Sequence, residues 1–412
     1  MSDVRAFRAL RPRPDLAARV AAPPYDVIDS DEARQMAEGN DISFLHVNKP
    51  EIDLPPGVGH YDDRVYAMGA RNLRRFMASG VLVREAEPRF YVYQQRMDGH
   101  VQAGVVCAAS CHEYEAGLIK RHEFTRKNKE DDRTRHTHEL NANAGPVFLT
   151  YRKRAEIDAI VNRVRGAAPT YDFVASDGVG HTVWIVPEED AEVIRAAFAD
   201  VPALYVADGH HRAASAARVG FERRAANRAH RGDEPYCYFL AVLFPDDQLR
   251  IMDYNRVVKD LGGLSEDRFL AGVAKSFTVA PTATPRPDAP HRFGMFLGGK
   301  WYCLEARPGT FPAADPVRSL DAAILQENLL TPVLGIADVR TDKRIDFVGG
   351  IRGLGELERR VNDGWALAFA LHPVTLDQLM AVADAGLVMP PKSTWFEPKL
   401  RSGLLVRTLD TW

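Results

Sequence analysis

Few cysteines, no long apolar run and no excess of one charge limit what this 412-residue sequence can be. Its four cysteines are too few for a disulfide scaffold, and the pair Cys107 and Cys111 lacks the second ligand pair of a structural zinc site. The 53 basic and 56 acidic residues give a net charge of −3, so no overall field favours nucleic acid or a membrane surface. No run of about 18 apolar residues occurs. We therefore expect a cytoplasmic protein with reduced thiols.

The composition that remains, 46 % hydrophobic and 26 % charged, is typical of a globular protein with ample core. Short apolar runs alternate with helical patterns, which predicts a mixed α/β fold of two or three domains with a boundary near residues 232–264. The predicted elements that matter below are a helix over Asp62–Ser79, a strand over Ile42–Val47, a hairpin of Arg89–Gln95 and Val101–Ala109, and a hairpin of Tyr236–Phe244 and Gln248–Tyr254.

Residues 203–217, ALYVADGHHRAASAA, join a strand, a glycine turn and the start of a helix. The first N–H groups of a helix lack internal partners and lie at its positive dipole end, so they favour an anion. His210, His211 and Arg212 would add donors for phosphate or carboxylate oxygens. The alternative is an ordinary turn with a capping Asp208 and a solvated basic first turn. If the anion interpretation holds, we expect Arg212→Ala to weaken phosphate binding and hardly change the melting temperature.

Two further segments contain candidate site residues. The charged stretch 117–137 includes Lys129, Arg133, His136 and Thr137, and it is either a solvated helix face or a basic arm that faces a substrate. Pro23 and Pro24 stiffen the chain before Tyr25 and Asp26, which form either a structural turn or part of a site.

Four motifs together resemble a bacterial and archaeal family of unknown function in the ParB/sulfiredoxin-like superfamily, over nearly the whole chain. They are PPYDVI at 23–28, RHEFTRKNKEDDRTRHT at 121–137, VADGHHRAASA at 206–216 and MPPKSTWFEPKL at 389–400. The resemblance implies a ParB/sulfiredoxin-like nucleotide-binding domain with helical and hairpin insertions over residues 1–250. A C-terminal α+β domain would then cover residues 251–412.

The superfamily includes free serine kinases, and the resemblance implies that Asp208, Gly209, His210, His211 and Arg212 hold nucleotide phosphates. Asp26 matches the position of their general base, although those kinases have glutamate there, and His211 is a second catalytic candidate. Lys129, Arg133, His136 and Thr137 would bind the substrate. ATP or ADP would donate the phosphate, with Mg²⁺ held partly by Asp208. The sulfiredoxin cysteine is replaced by histidine in the loop, which argues against reductase chemistry.

The sequence thus predicts a nucleotide-dependent small-molecule phosphotransferase, such as a kinase of free serine or of another amino acid or hydroxyl compound. A nucleotide-binding regulatory switch without fast chemistry is one alternative. A metal-dependent phosphohydrolase that uses Asp208, His210 and His211 is another. The predicted partners are the small-molecule substrate and the nucleotide, without nucleic acid or membrane, and a homodimer is the assembly considered.

Overall fold

The computed structural model describes residues 2–410 and residue 412, and the chain divides into two compact units. The first unit comprises Met1–Leu249 and Pro398–Trp412, and the second comprises Arg250–Glu397. The predicted mixed α/β class is confirmed. The predicted second domain, 251–412, differs from the second unit at its C-terminal end. Residues 398–412 lie in the first unit, where the backbones of Ala22 and Ser402 pair and Arg407 is fully buried.

The first unit is built on a nine-stranded mixed sheet. The strands of this unit, including short pairs outside the large sheet, are β1 (Val4–Arg5), β2 (Leu10–Pro12), β3 (Leu82–Arg84), β4 (Tyr91–Met97), β5 (His100–Ser110), β6 (Ile119–Lys120), β7 (Ala142–Asn143), β8 (Val147–Tyr151), β9 (Tyr171–Val174), β10 (Gly180–Ile185), β11 (Leu204–Asp208), β12 (Tyr238–Pro245) and β21 (Arg407–Thr408). The sheet order is β6-β11-β8-β12-β5-β4-β10-β9, with β1 added beside β5. The apolar runs of β5, β8 and β12 are buried almost throughout, as central strands require.

In the described part of the first unit, α-helices cover this sheet or pack beside it. They are α1 (Ala17–Val20), α2 (Ser30–Ala37), α3 (Leu45–Asn48), α4 (Asp63–Ala78), α5 (Cys111–Glu115), α6 (Lys127–Leu140), α7 (Ala155–Arg165), α8 (Glu188–Ala199) and α9 (His210–Ala226). Short 3₁₀ turns occupy Pro14–Leu16, Pro50–Asp53, Pro235–Cys237 and Asp246–Gln248. Helix α6 packs against both α4 and α9, so the charged stretch of the sequence lies between two other helices.

Two local predictions are confirmed and two are wrong. The helix near Asp62–Ser79 is α4, and β4 and β5 form the expected hairpin, in which Asp98 and Gly99 have φ of 50° and 78°. The predicted strand Ile42–Val47 is wrong, since these residues form a turn and helix α3. An apolar run this short fits the residue spacing of a strand and that of a helix equally well. The predicted hairpin after Tyr236 does not form, since β12 lies between β5 and β8.

The second unit contains a six-stranded antiparallel sheet in the order β15-β17-β16-β19-β14-β18. Its strands are β13 (Arg250–Met252), β14 (Tyr254–Val258), β15 (Phe277–Pro281), β16 (Arg292–Leu297), β17 (Lys300–Ala306), β18 (Ile345–Gly349), β19 (Leu367–Leu371) and β20 (Trp395–Glu397). Its helices are α10 (Glu266–Val273), α11 (Asp321–Leu325), which continues as a π-helix over Gln326–Leu330, α12 (Gly353–Asn362) and α13 (Leu376–Asp384), and Gly350–Arg352 forms a 3₁₀ turn.

We expect the burial of Asp321 to make the stability of the protein depend on pH. Burial raises the pKa of this carboxyl to about 7, although Oδ1 accepts the N–H of His291 at 2.8 Å. A raised pKa means that the folded state binds more protons than the unfolded state, so stability falls as pH rises from about 4 through 7.

We therefore expect Asp321→Asn, which keeps the acceptor without the charge, to stabilise the protein at pH 8. Each unit by which folding raises the pKa of Asp321 corresponds to about 1.4 kcal/mol of unfolding free energy at high pH. At pH 4.5 the difference in unfolding free energy between Asp321→Asn and the wild type should be small. Urea unfolding at both pH values measures the effect, with Asp384→Asn at an exposed position of the same unit as the control. An equal advantage at the two pH values would contradict the expectation.

Candidate active site

The loop between β11 and α9 has the geometry of an anion-binding helix start. Gly209 is the N-cap of α9 with φ of 88°, a left-handed conformation that favours glycine, and it offers no side chain to cap the first turn. Helix α9 begins at His210, and its first regular bond runs from the N–H of Ala213 to the carbonyl of Gly209. The N–H groups ahead of Ala213 therefore lack a side-chain cap and suit an anion.

Arg212 is the buried cation of this loop, with 9 % of its surface exposed. Its Nη1 donates to the carbonyl of Pro146, and its Nη2 lies 3.4 Å from Oδ2 of Asp208. No described residue accepts a hydrogen bond from its Nε. Burial disfavours the charge, but the carboxylates of Asp26 and Asp208 outweigh it and raise the pKa of Arg212 above its ordinary value. The guanidinium is a fixed positive charge with spare donor capacity.

Gly209 also makes room for this guanidinium, because a Cβ there would lie 3.0 Å from Nε of Arg212. We expect Gly209→Ala to cost about 1–2 kcal/mol of backbone strain and also to displace Arg212, which should weaken anion binding. Gly178→Ala is the matched control, since Gly178 has φ of 81° but no neighbouring atom within 4 Å of the position that a Cβ would take. The melting temperature should fall for both variants, whereas titration with ADP should show weaker binding only for Gly209→Ala. Equal binding by both would contradict the expectation.

Helix α6 presents Arg133 to the same region. The guanidinium lies over the ring of Tyr25, 4.1 Å from its centroid, and donates from Nε to Asp132 at 2.8 Å. Asp132 also accepts the hydroxyl of Tyr66 at 2.8 Å. These contacts hold one face of the planar guanidinium against an aromatic ring and fix its orientation.

His136, one turn further along α6, is a buried neutral acceptor. Its Nε2 lies 2.9 Å from the carbonyl of Val47, so Nε2 must be the protonated nitrogen and Nδ1 the unprotonated one. Burial and the nearby charge of Arg133 lower the pKa of His136 to about 4. At neutral pH the ring can therefore accept a hydrogen bond or a proton at Nδ1.

Arg212, Arg133 and His136 line one cleft that is open to solvent. Its full lining is Pro24, Tyr25, Asn48, Arg133, His136, Thr137, Asn143, Ala144, Gly145, Arg212, Ser215 and Ser402. Among the described residues, the lining contains two guanidiniums, several hydroxyl and amide groups, and no carboxylate. This combination of donors suits the oxygens of a phosphate or a carboxylate ligand.

Asp26 lies beside the cleft on the exposed turn that follows Pro24. The negative charge of Asp26 acts on both Arg212 and His211. It helps to raise the pKa of Arg212, and it opposes the lowering of the pKa of His211 by burial. Of the predicted site residues, the structure therefore brings Arg133, His136, Thr137 and Arg212 into one lining, with Asp26 adjacent.

The remaining predicted residues lie outside the lining. Lys129 is exposed on the first turn of α6. His210 is buried with its ring edge-to-face on His122, with centroids 4.5 Å apart, and burial lowers its pKa well below the ordinary value. His211 accepts the N–H of Arg126 on Nε2 at 3.0 Å. Because Arg126 is the N-cap of α6, His211 ties the start of α6 to the start of α9.

A metal site of Asp208, His210 and His211 does not form. Within the described part of the chain, His230, Glu234 and Cys237 are the one group of such side chains close enough to share an ion. That group follows the C-terminal end of α9, and its Glu234 carboxylate already accepts the N–H groups of Arg231 and Gly232. Among the described residues, the side chains that the metal-dependent phosphohydrolase hypothesis names are therefore not brought together as one ligand set.

Asp208 has cationic partners instead of a free coordination position. Its Oδ2 lies 3.6 Å from Nζ of Lys399 and 3.4 Å from Nη2 of Arg212. Burial alone would raise the pKa of Asp208, but these two positive charges outweigh it and hold the pKa below its ordinary value. As a direct Mg²⁺ ligand this carboxylate fits poorly, because a third cation would have to displace the first two.

Several polar groups of the cleft were not predicted. Asn48, Asn143, Ser215 and Ser402 all contribute to its lining. Ser402 comes from the C-terminal segment, just beyond the MPPKSTWFEPKL motif, and that motif is the signal that could have indicated it.

The chain matches one family model and is weakly similar to several solved structures. The family model "Protein of unknown function (DUF1015)" matches residues 4–323. A free serine kinase in complex with AMP is 12% identical, with 71% of this chain and 86% of that chain covered and a TM-score of 0.36. SbnI with C-terminal truncation from Staphylococcus aureus is 12% identical, with 74% and 87% covered and a TM-score of 0.37. A conserved hypothetical protein from Pyrococcus furiosus is 13% identical, with 75% and 97% covered and a TM-score of 0.36.

No curated protein matches the sequence. Among the described helices, none is both long enough and apolar enough to cross a membrane.

Proposed function

We propose that this chain, which belongs to the DUF1015 family, transfers a phosphoryl group from a nucleotide to the hydroxyl of a small molecule. The observation that supports the proposal is the cleft, lined without a described carboxylate, in which Arg212 and Arg133 converge beside the start of α9. Phosphoryl transfer depends mainly on positioning and on neutralising the phosphate charge, and this cleft offers both.

The nucleotide phosphates would lie at the N–H groups of the first turn of α9 and at the Nε of Arg212. Arg133, which lines the same cleft, would neutralise further phosphate charge. Its contacts with Asp132 and Tyr25 keep the guanidinium oriented without a change of conformation during the reaction.

Asp26 would act as the general base. In the transfer, the acceptor oxygen forms a bond to the terminal phosphorus, and the bond from that phosphorus to the nucleotide oxygen breaks. The hydroxyl proton moves to the carboxylate of Asp26, and the nucleotide leaves with one phosphate fewer. Mg²⁺ would accompany the nucleotide and neutralise its phosphate oxygens. No step requires this ion to bind Asp208, whose partners are already cations.

The test is turnover by the purified chain with Mg²⁺, ATP or ADP, and a panel of hydroxyl acceptors. L-serine heads the panel because the sequence motifs resemble those of free serine kinases. We expect phosphorus NMR to show a new phosphomonoester in amounts equal to the nucleotide product, with none formed when the acceptor is omitted.

Two outcomes would contradict the proposal in different ways. Nucleotide binding without any product across the panel would favour a regulatory switch. If neither binding nor turnover occurred at millimolar nucleotide, the proposal that the cleft binds nucleotide phosphates would be wrong.

A further inference from the structure

The C-terminal segment that follows Glu397 is fixed beside the cleft by backbone contacts. Ser402 and Ala22 exchange two backbone hydrogen bonds, at 2.9 and 3.1 Å. The carbonyl of Lys399 accepts Nε2 of Gln95 at 2.8 Å. Ser402 lines the cleft. The fixed backbone of this segment therefore holds the side chain of Lys399 close to the cleft.

Lys399 shares one carboxylate oxygen with Arg212. Oδ2 of Asp208 lies 3.6 Å from Nζ of Lys399 and 3.4 Å from Nη2 of Arg212, and the Lys399 side chain is 14% exposed. Both distances exceed the value of about 2.8 Å typical of a charge-assisted hydrogen bond. The Asp208 carboxylate therefore lies between two cations and forms a short ion pair with neither.

Lys399 adds a positive charge to the carboxylates and guanidiniums at the border of the cleft. The carboxylates of Asp26, Asp132 and Asp208 face the cations Arg133, Arg212 and Lys399. The nearby histidines 136, 210 and 211 all have a lowered pKa and add no charge at neutral pH. Without Lys399, Asp208 would lose one of its two cationic partners, and its negative charge would disfavour an anion nearby.

We propose that Lys399 is a positioning residue that neutralises Asp208 and so leaves the charge of Arg212 for the phosphate oxygens of the ligand. In its absence, Asp208 would pair with Arg212 alone, and a phosphate would have to compete with that carboxylate at short range. The inference rests on the proposed function in one respect, since it takes the ligand of the cleft to be a nucleotide phosphate.

The experiment compares charge variants of the full chain. Lys399→Met removes the charge and keeps most of the side-chain volume, while Lys399→Arg keeps the charge. The double variant Lys399→Met/Asp208→Asn removes both charges of the pair and is compared with Asp208→Asn. Lys392→Met is the matched control, because this exposed lysine belongs to the same motif and lies near Tyr254 in the second unit. Titration calorimetry measures binding of ADP and of inorganic pyrophosphate, and thermal unfolding is followed in parallel.

We expect Lys399→Met to bind both probes about 10- to 100-fold more weakly, the range for a lost charge-assisted interaction. Lys399→Arg and Lys392→Met should bind within about threefold of the wild type. The double variant should bind as Asp208→Asn does, because the unneutralised carboxylate is gone. Thermal unfolding separates this effect from a purely structural role, because a structural role would lower the melting temperature without weakening the binding of either probe by the folded protein.

The inference is overturned if Lys399→Met binds as the wild type does, or if the double variant remains as weak as Lys399→Met. Its failure is separable from that of the proposed function. Probe binding that depends on Lys399 in a protein that transfers no phosphate contradicts only the proposed reaction and supports the inference. A wild-type protein that binds neither probe at millimolar concentration contradicts both.

Discussion

Replacing Arg212 by alanine is expected to weaken nucleotide binding about 100-fold and to lower the free energy of unfolding by about 3 kcal/mol. The binding loss follows from removing a buried cation whose Nε has no hydrogen-bond acceptor among the described residues. The stability loss follows because truncation leaves the carbonyl of Pro146 without this donor and the buried side of Asp208 with Lys399 as its remaining cation. Urea unfolding and calorimetric titration with ADP, both at a temperature where the variant is folded, measure the two effects.

Arg224→Ala is the control for this prediction. Arg224 lies in the last turn of the same helix, and its Nη1 is 3.9 Å from Glu115 in a surface pair whose side chains are nearly half exposed. Such pairs contribute less than about 1 kcal/mol, so both measurements should stay near wild type. If folded Arg212→Ala bound ADP normally, Arg212 would have a purely structural role.

Replacing Asp26 by asparagine is expected to reduce the rate of phosphoryl transfer by about 10²- to 10⁴-fold, the usual contribution of a general base. Nucleotide affinity should be unchanged or higher, because the substitution removes a negative charge that acts on Arg212. The side chain is exposed, so stability should change little. Initial rates at saturating substrate, together with ADP titrations, separate the effect on kcat from the effect on binding.

Asp31→Asn, on the exposed face of α2, is the matched control and should leave the rate unchanged. An undiminished rate in Asp26→Asn would mean that another group accepts the proton. The unprotonated Nδ1 of His136 is the next candidate in the cleft, and His136→Gln would test it.

The loop between β11 and α9 was predictable from sequence because all of its determinants are local. A buried strand, a glycine and a polar helix start follow one another within ten residues, and β11, Gly209 and α9 form as expected. The effect of Arg212 on stability was not predictable in the same way. Its burial depends on Pro146, 66 positions away, and the expectation of an unchanged melting temperature does not take that contact into account.

The sequence pattern also could not predict which face of α6 is buried. The helix has charged residues all round, so no apolar stripe indicates which side is buried. Tertiary packing between α4 and α9 decides that Arg133, His136 and Thr137 line the cleft while Lys129 is exposed. The family resemblance is confirmed, whereas the wider placement with ParB and sulfiredoxin stays a prediction.

The return of residues 398–412 to the first unit has a consequence for biosynthesis. A ribosome that has completed β12 must still make the whole second unit before Lys399 and Ser402 are translated. At the usual elongation rates of about 5–20 residues per second, synthesis of those roughly 150 residues delays completion of the cleft by about 7–30 s. During that interval the emerging chain has Arg212 and Asp208 but lacks the lysine that is the second cationic partner of Asp208. Premature termination anywhere in the second unit would therefore yield a first unit without its last strand, its cleft serine and its neutralising charge.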